Sequence, residues 1–377
     1  MIKKFITCAL FLDFSKAFDT VNHKILLAKL YKYGVRDNSY KWFHSYLHDR
    51  KQYVQIKDAK SDMQTMKCGI PQGSTLGPLL FLIYINDMAN SSQKLSFRIF
   101  ADDANVFYAS KHFEDLNKTM NEELLNILKY CATNKLSVNL IKPKYMIVTN
   151  TKIIPPMQLA NLECTDHIKY LGVYIDNKIT WQKQIKHINN KIAKNLGIIS
   201  KLRHYLKLKM LKQIYFDIIY PYKNYGILSW GNTHKTKLIK LKTKLNKAVK
   251  LMFFANRQDS PKPFYGLLNI LELNNVYKLR TACLTFQILN NHYKLPRPLI
   301  SYLPLVSTTH TYNTRYSENQ NIYRAKCRTQ YALHTFKFSA SKQWETIPTF
   351  IKQCKSLSSF KSNYNSFLLT QQNNQIM

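Results

Sequence analysis

Phe100-Ala101-Asp102-Asp103 is the stretch on which the reading of this sequence turns. An apolar run from Leu95 to Phe100 leads into two adjacent carboxylates, and Asn105-Val106-Phe107-Tyr108 leads away. Two β-prone runs flanking a short polar pair spell a hairpin with the acids at its tip. Two like charges side by side at a tight turn repel, so the pair calls for a cation. Asp-Asp alone is also an ordinary turn sequence. The first third of the chain decides between the two.

Upstream, Phe5 to Leu12 is a near-continuous apolar run, the pattern of a strand covered on both faces, and it delivers Asp13 at its carboxyl end. Phe14 to Val21 is expected to turn the chain into a helix that His23 to Leu30 continues. A second helix is expected over Asn38–Leu47 and a short strand over Gln52–Ile56. Between Cys68 and Pro78 fall Gly69, Gly73, Gly77, Pro71 and Pro78, the composition of a loop whose backbone can approach a ligand closely. The apolar run Leu79–Asp87 behind it predicts a buried helix. Phe113 to Cys131 predicts an amphipathic helix, Tyr145 to Val148 a strand, and Ile168 to Ile175 a hairpin-like strand.

Farther on, Ile185, Ile188, Ile192, Leu196, Ile199 and Leu202 recur at three- and four-residue steps, one stripe of a long helix. Lysines 183, 186, 191, 194 and 201 fill its other faces. Lysine-rich helical sequence continues over Leu206–Leu251 and Val276–Asn290. Short helices are expected within Phe338–Ile351 and Phe360–Leu369, and the Gln/Asn-rich end from Thr370 onward is expected to fray.

The chain of 377 residues is long enough for a sizeable core and two or three domains. Its 56 Lys and Arg against 21 Asp and Glu leave a formal charge of +35. That self-repulsion points to a polyanionic partner, nucleic acid before an anionic membrane surface. The 25 Tyr and 20 Phe favour nucleic acid, since aromatic rings stack on bases. The seven cysteines are scattered without C-x-x-C spacing, which argues against a disulfide framework or a zinc knuckle and for reduced intracellular thiols. No apolar run is long enough to span a bilayer, and with nucleic acid preferred as the polyanion no membrane partner is expected.

Asp13 at a strand end and Asp102 at a hairpin tip are expected to meet on adjacent strands of one sheet. Carboxylates converging in this way hold divalent cations through hard oxygen ligands. Two metals about 3.5–4 Å apart clamp the attacking and leaving oxygens of a phosphoryl transfer. Unrelated surface aspartates remain the alternative at this point.

Five segments carry a resemblance. Leu10-Phe11-Leu12-Asp13-Phe14-Ser15-Lys16-Ala17-Phe18-Asp19-Thr20-Val21 resembles the first palm motif of reverse transcriptases from non-LTR retrotransposons. Gly69-Ile70-Pro71-Gln72-Gly73-Ser74 with Gly77-Pro78-Leu79-Leu80-Phe81 is similar to the second, and Phe100-Ala101-Asp102-Asp103 to the third. Asn134-Lys135-Leu136-Ser137-Val138-Asn139 with Lys142 resembles the fourth, and Tyr170-Leu171-Gly172-Val173 the primer grip. Tyr220-Pro221, Tyr225-Gly226, Tyr312-Asn313-Thr314-Arg315, and Trp344 before Ile347-Pro348 resemble the C-terminal portion of the jockey/CR1-like branch.

The resemblance implies an α+β fold: a palm with a mostly antiparallel sheet backed by helices over residues 1–176, a basic helical thumb over 177–295, and an extension of mixed structure over 296–377. It implies RNA-directed DNA polymerase activity with Mg²⁺ (Mn²⁺ as substitute), dNTPs, an RNA template and a DNA primer. Asp13 and Asp102 would be the catalytic metal ligands, with Asp103 third and more peripheral. Phe14, Phe18, Gln72, Gly73 and Lys142 would bind the nucleotide, Phe18 as the aromatic gate that clashes with a 2′-hydroxyl. Leu171 and Gly172 would brace the primer end. Pro143 stands where the family keeps a threonine. Only twelve residues precede Asp13, where the family places its fingers, so the resemblance implies a truncated chain that polymerises poorly. A catalytically inactive nucleic-acid-binding remnant is the alternative, and a group II intron maturase a weaker third reading.

Overall fold

The computed structural model describes residues 5–139, 144–149, 157–160, 162–290, 295–296, 299, 302–306, 321–324, 327 and 330–374. The chain divides into two compact units, Met1–Ile168 with Asp176–Ile179, and Lys169–Ile175 with Thr180–Met377.

The first unit is a mixed α+β structure around strand β1 (Ile6–Asp13). Helices α1 (His23–Lys32) and α2 (Asp37–Leu47) follow, then four two-residue strands, β2 (Lys51–Gln52), β3 (Gln55–Ile56), β4 (Ala59–Lys60) and β5 (Gln64–Thr65). Helix α3 (Gly77–Ile85), hairpin strands β6 (Ser96–Phe100) and β7 (Asp103–Ser110), helix α4 (Phe113–Thr133), and strands β8 (Lys144–Val148) and β9 (Glu163–Cys164) complete it. The main sheet has the order β6-β7-β1-β8-β9, antiparallel except for β8 with β9.

Alternation along the strands decides what each sheet face meets. Cys8, Leu10 and Leu12 of β1, Ala104 and Val106 of β7, and Tyr145 and Ile147 of β8 join one buried cluster with Phe81, Tyr84, Leu116, Met120, Leu124 and Ile127 of α3 and α4. In α4 the buried residues recur at helical spacing, Leu116, Met120, Leu124, Ile127 and Cys131, as the amphipathic pattern predicts. Each such side chain removed from water contributes about 1.5–3 kcal/mol. The opposite face of the sheet carries Phe11, Asp13, Asp103, Asn105 and Lys144 at paired register positions.

Three local expectations change. Gln52–Ile56, expected as one strand, is split between β2 and β3, which pair in different small sheets. Phe14–Val21 is a run of turns rather than the start of a helix. The helix begins only at His23, where the Asn22 side chain accepts from the Ile25 N–H at 3.1 Å. The all-apolar α3, expected to be buried, leaves Leu79 50% and Leu82 47% exposed. Its inner side packs on α1, and the other side meets solvent. A buried polar knot ties α1, α3 and α4 together. The Lys29 ammonium donates to the Tyr84 carbonyl at 2.5 Å and to Asp87 at 2.7 Å, while the Tyr130 hydroxyl donates to the same carboxylate. Burial pulls Lys29 below the ordinary lysine value, and the Asp87 hydrogen bond opposes that pull.

Among its described residues the second unit is mainly helical, and it holds the turn of the hairpin formed by β10 (His167–Tyr170) and β11 (Val173–Asp176). Helix α5 (Gln182–Leu202) buries the expected stripe, Ile185, Ile188, Ile192, Leu196 and Ile199, and leaves the five interleaved lysines exposed. Then come α6 (Leu208–Ile218), α7 (Tyr220–Asn224), α8 (Ile227–Trp230), α9 (Lys235–Met252), α10 (Lys262–Leu267) and α11 (Leu273–Leu289). Helices over Phe336–Glu345 and Leu357–Asn374 pack on α11, and Trp344, Phe360, Tyr364 and Leu368 share one core with Trp230, Leu241 and Phe286. Residues on either side of position 296 thus close around the same core. The expected fraying from Thr370 is not observed: the helix runs to Asn374 because Gln372 is 4% exposed and bonded to the Glu272 N–H at 2.9 Å, to Asn275 and to the Ile270 carbonyl. No helix among the described residues is long and apolar enough to cross a membrane.

Lys223, in α7, is fully buried; its ammonium donates to the Leu271 carbonyl at 2.5 Å and to the Tyr215 hydroxyl at 3.2 Å. Burial pushes its pKa from 10.5 down to about 7, with Glu272 opposing. Between those values the unfolded chain binds the extra proton, so this group makes stability rise as pH climbs from about 7 towards 10. Calorimetric melting of the full chain is expected to show a rising Tm for this unit up to about pH 9, and Lys223→Met is expected to flatten the rise. An equal slope in the variant would assign the proton to another group.

Candidate active site

The hairpin that the acids cap is built as a two-residue turn. Phe100 pairs with Asp103, and Ala101 at φ 50° and Asp102 form the loop between them. Asp103 is therefore the first residue of β7, and its register partner on β1 is Asp13. Cross-strand partners project to the same face, so Asp13 and Asp103 meet there while Asp102 sits in the turn beside them. Asp102, expected to meet Asp13 from an adjacent strand, lies in the turn, and the register position opposite Asp13 belongs to Asp103.

The three carboxylates act on one another. Asp103 is raised above the ordinary aspartate value, first by burial and then by the charges of Asp102 and Asp13. Asp13 is held by the segment after α4: its carbonyl accepts from the Asn139 N–H at 2.9 Å and its Oδ2 from the Asn139 side-chain amide at 3.3 Å. Ser15 N–H donates to the Ser137 carbonyl and Phe14 bridges to Val138, so the fourth motif lies along the first as an extra edge. Among the described residues no three His, Cys, Asp or Glu side chains form a ready metal cage. The donor set is nonetheless oxygen-only and mutually repelling, which suits a hard cation that keeps part of its shell for water and phosphate oxygens.

The glycine-rich loop folds back on the turn after Asp13. Ile70 N–H donates to the Phe18 carbonyl at 2.9 Å and Gly69 N–H to the Val21 carbonyl at 2.8 Å. Gly69 has φ +87°, and a Cβ there would lie 2.8 Å from the Asp19 carbonyl oxygen, so only glycine fits. The Gln72 amide donates to the Asp19 carboxylate at 2.8 Å. Phe18 is half-buried and its ring stacks on Phe81 with centroids 4.6 Å apart. Gly73 is exposed at φ +78°. Phe14 is 4% exposed and belongs to the core, so its ring is not available to a nucleotide. Lys142 and Pro143 lie outside the described residues, as does Thr311–Arg315. Leu171 and Gly172 form the β10–β11 turn in the second unit.

Two positioning residues escaped the sequence reading. Asp19, quoted there without a role, orients Gln72, and Asn139 steadies Asp13. Both are reached only through contacts distant in sequence, although their places inside the quoted motifs were a signal.

Residues 2–175 match the family model described as reverse transcriptase (RNA-dependent DNA polymerase). They form a reverse transcriptase domain. The chain is similar to the Drosophila melanogaster protein named "Probable RNA-directed DNA polymerase from transposon BS", 25% identical over 79% of this chain and 34% of that protein. It is likewise similar to the RNA-directed DNA polymerase from mobile element jockey of the same organism, 28% identical over 62% of this chain and 27% of that one. The chain thus spans about a third or less of the length of these curated relatives. Among solved structures, apo telomerase from Candida tropicalis aligns with TM-score 0.38 at 12% identity, over 72% of this chain and 47% of that chain. The reverse transcriptase domain covers the whole main sheet, its acid pair and the glycine-rich loop.

NMR titration of the carboxyl groups is expected to find Asp103 titrating above ordinary aspartates. Asp102→Asn is expected to move it down, since one of the raising charges is gone. An unmoved Asp103 would mean that burial acts alone.

Proposed function

We propose that this chain adds deoxynucleotides to a primer 3′ end on an RNA template, the first unit serving as palm. The observation that carries the reading is the register of Asp13 with Asp103, beside Asp102, on the open face of an antiparallel sheet within a reverse transcriptase domain. Asp13, Asp102 and Asp103 would hold the divalent metal, Mg²⁺, which would supply charge neutralisation for nucleotidyl transfer. The rest of the work falls to the chain. Phe18, braced on Phe81, lies under the sugar of the incoming nucleotide and excludes a 2′-hydroxyl. Gln72, held by Asp19, and Gly73 face the templating pair. Lys142 meets the triphosphate, and Leu171 with Gly172 meets the primer end. Helices from residue 177 onward act as the thumb, with 296–377 an extension whose described apolar residues pack on the same core. The charge of +35 and the lysine faces of α5 supply contacts to phosphates, each of which adds to the salt dependence of binding.

The purified chain is expected to extend a DNA primer on a homopolymer RNA with Mg²⁺ or Mn²⁺. Asp13→Asn and Asp103→Asn are each expected to lower the rate by at least about a hundredfold while leaving RNA binding intact. Undiminished extension by Asp103→Asn would overturn the assignment. No extension by any form, with salt-sensitive RNA binding by all, would leave a chain that only binds.

Phe18→Val is expected to raise ribonucleotide incorporation relative to deoxynucleotide in the same assay. Unchanged discrimination would leave Phe18 as a core ring.

A further inference from the structure

The Tyr225-Gly226 pair is left without a role by the polymerase reading, yet it lies directly against the hairpin turn. Leu171 and Gly172 both have positive φ, 43° and 81°, the two-residue turn that suits a tight hairpin. For Leu171 that backbone is costly, because its Cβ crowds the following carbonyl. Such a conformation persists when its surroundings over-determine it. Here the Tyr225 hydroxyl donates to the Leu171 carbonyl at 2.6 Å. The Tyr225 ring lies so close under Gly172 that a Cβ there would sit 3.2 Å from Cε1. On the next residue, a Cβ on Gly226 would sit 2.8 Å from Cγ2 of Val173, at the start of β11. Both glycines are where two backbones must come close.

The seat under the turn is itself immobilised. The Tyr225 carbonyl accepts from the indole N–H of fully buried Trp230 at 2.9 Å, and the Tyr225 N–H donates to the Pro221 carbonyl at 2.8 Å. On the preceding residues, Asn224 accepts from Arg280 of α11 at 2.7 Å, and the buried Lys223 ammonium reaches the Leu271 carbonyl. Each residue from Lys223 to Tyr225 is thus tied to the helical core.

We infer that Tyr225 is a positioning residue for primer-end binding: its hydroxyl and ring, anchored through Trp230, hold the Leu171–Gly172 turn in the shape that meets the primer. The inference rests on the reading of that turn as the primer contact. It gives the Tyr-Gly motif, more than fifty residues downstream, a physical task in the same site.

Tyr225→Phe removes the hydroxyl and keeps the ring, and Tyr225→Ala removes both. Tyr225 is 57% exposed, so water partly replaces the lost bond and the effect is modest. The full chain carrying Tyr225→Phe is expected to keep its melting temperature, to exchange the amides of Leu171 to Tyr174 faster, and to bind the primer terminus about fivefold more weakly, the equivalent of one neutral hydrogen bond. Extension assays are expected to show a raised KM for primer with kcat unchanged, and Tyr225→Ala a larger change in the same direction. Unchanged exchange in both variants would overturn the inference. Faster exchange with unchanged primer affinity would overturn the link to the primer, while the Asp13→Asn and Asp103→Asn assays decide the polymerase reading separately.

Discussion

Everything at the candidate active site depends on one antiparallel register, β1 against β7, in which Asp13 stands opposite Asp103. A slip of one residue would send one acid to the core face and bring an apolar neighbour out. The register is held from the buried side, where Cys8, Leu10 and Leu12 interleave with Ala104 and Val106 over α4. It is held from the end by Asn139 and Ser137, whose backbone groups bond to the residues around Asp13. The like-charge cost at the site is thus carried by apolar packing on the other side of the same sheet.

The second constraint is the tight contact between the glycine-rich loop and the turn that follows Asp13. Gly69 is pressed on the Asp19 carbonyl and Gln72 is bonded to the Asp19 carboxylate, which ties the loop to the turn that follows the strand carrying Asp13. Phe18 lies between them, stacked on Phe81 of the helix that the loop opens into. Two motifs far apart in sequence are thus joined by direct contacts, the kind of support that reactant positioning draws on.

Much of this was legible from residue pattern. Apolar runs located β1, β6, β7, β8 and the long α5, because periodicity reports burial directly. Glycine and proline marked the loop before α3. The misses have physical causes. Phe14–Val21 has helical composition but is consumed by turns that carry Phe18 and Asp19 to the loop. The apolar α3 is partly bare because hydrophobicity says that a helix wants cover, not that neighbours exist to supply it. The polar C-terminal segment is ordered through Gln372, whose partners near residue 272 no local reading could assign.

The local pattern was enough for the element types, the charge that points to a polyanion, and the acids that belong to the site, since these follow from side-chain chemistry and spacing along the chain. Which acid faces which was decided only by the fold. A two-residue turn takes Asp102 out of the strand and puts Asp103 in it, so pairing geometry made Asp103 the partner of Asp13. The same holds for Asp19 under Gln72, Asn139 on Asp13 and Tyr225 on Leu171. Each is a contact across tens of residues or more, and only tertiary packing brings such groups within hydrogen-bond reach.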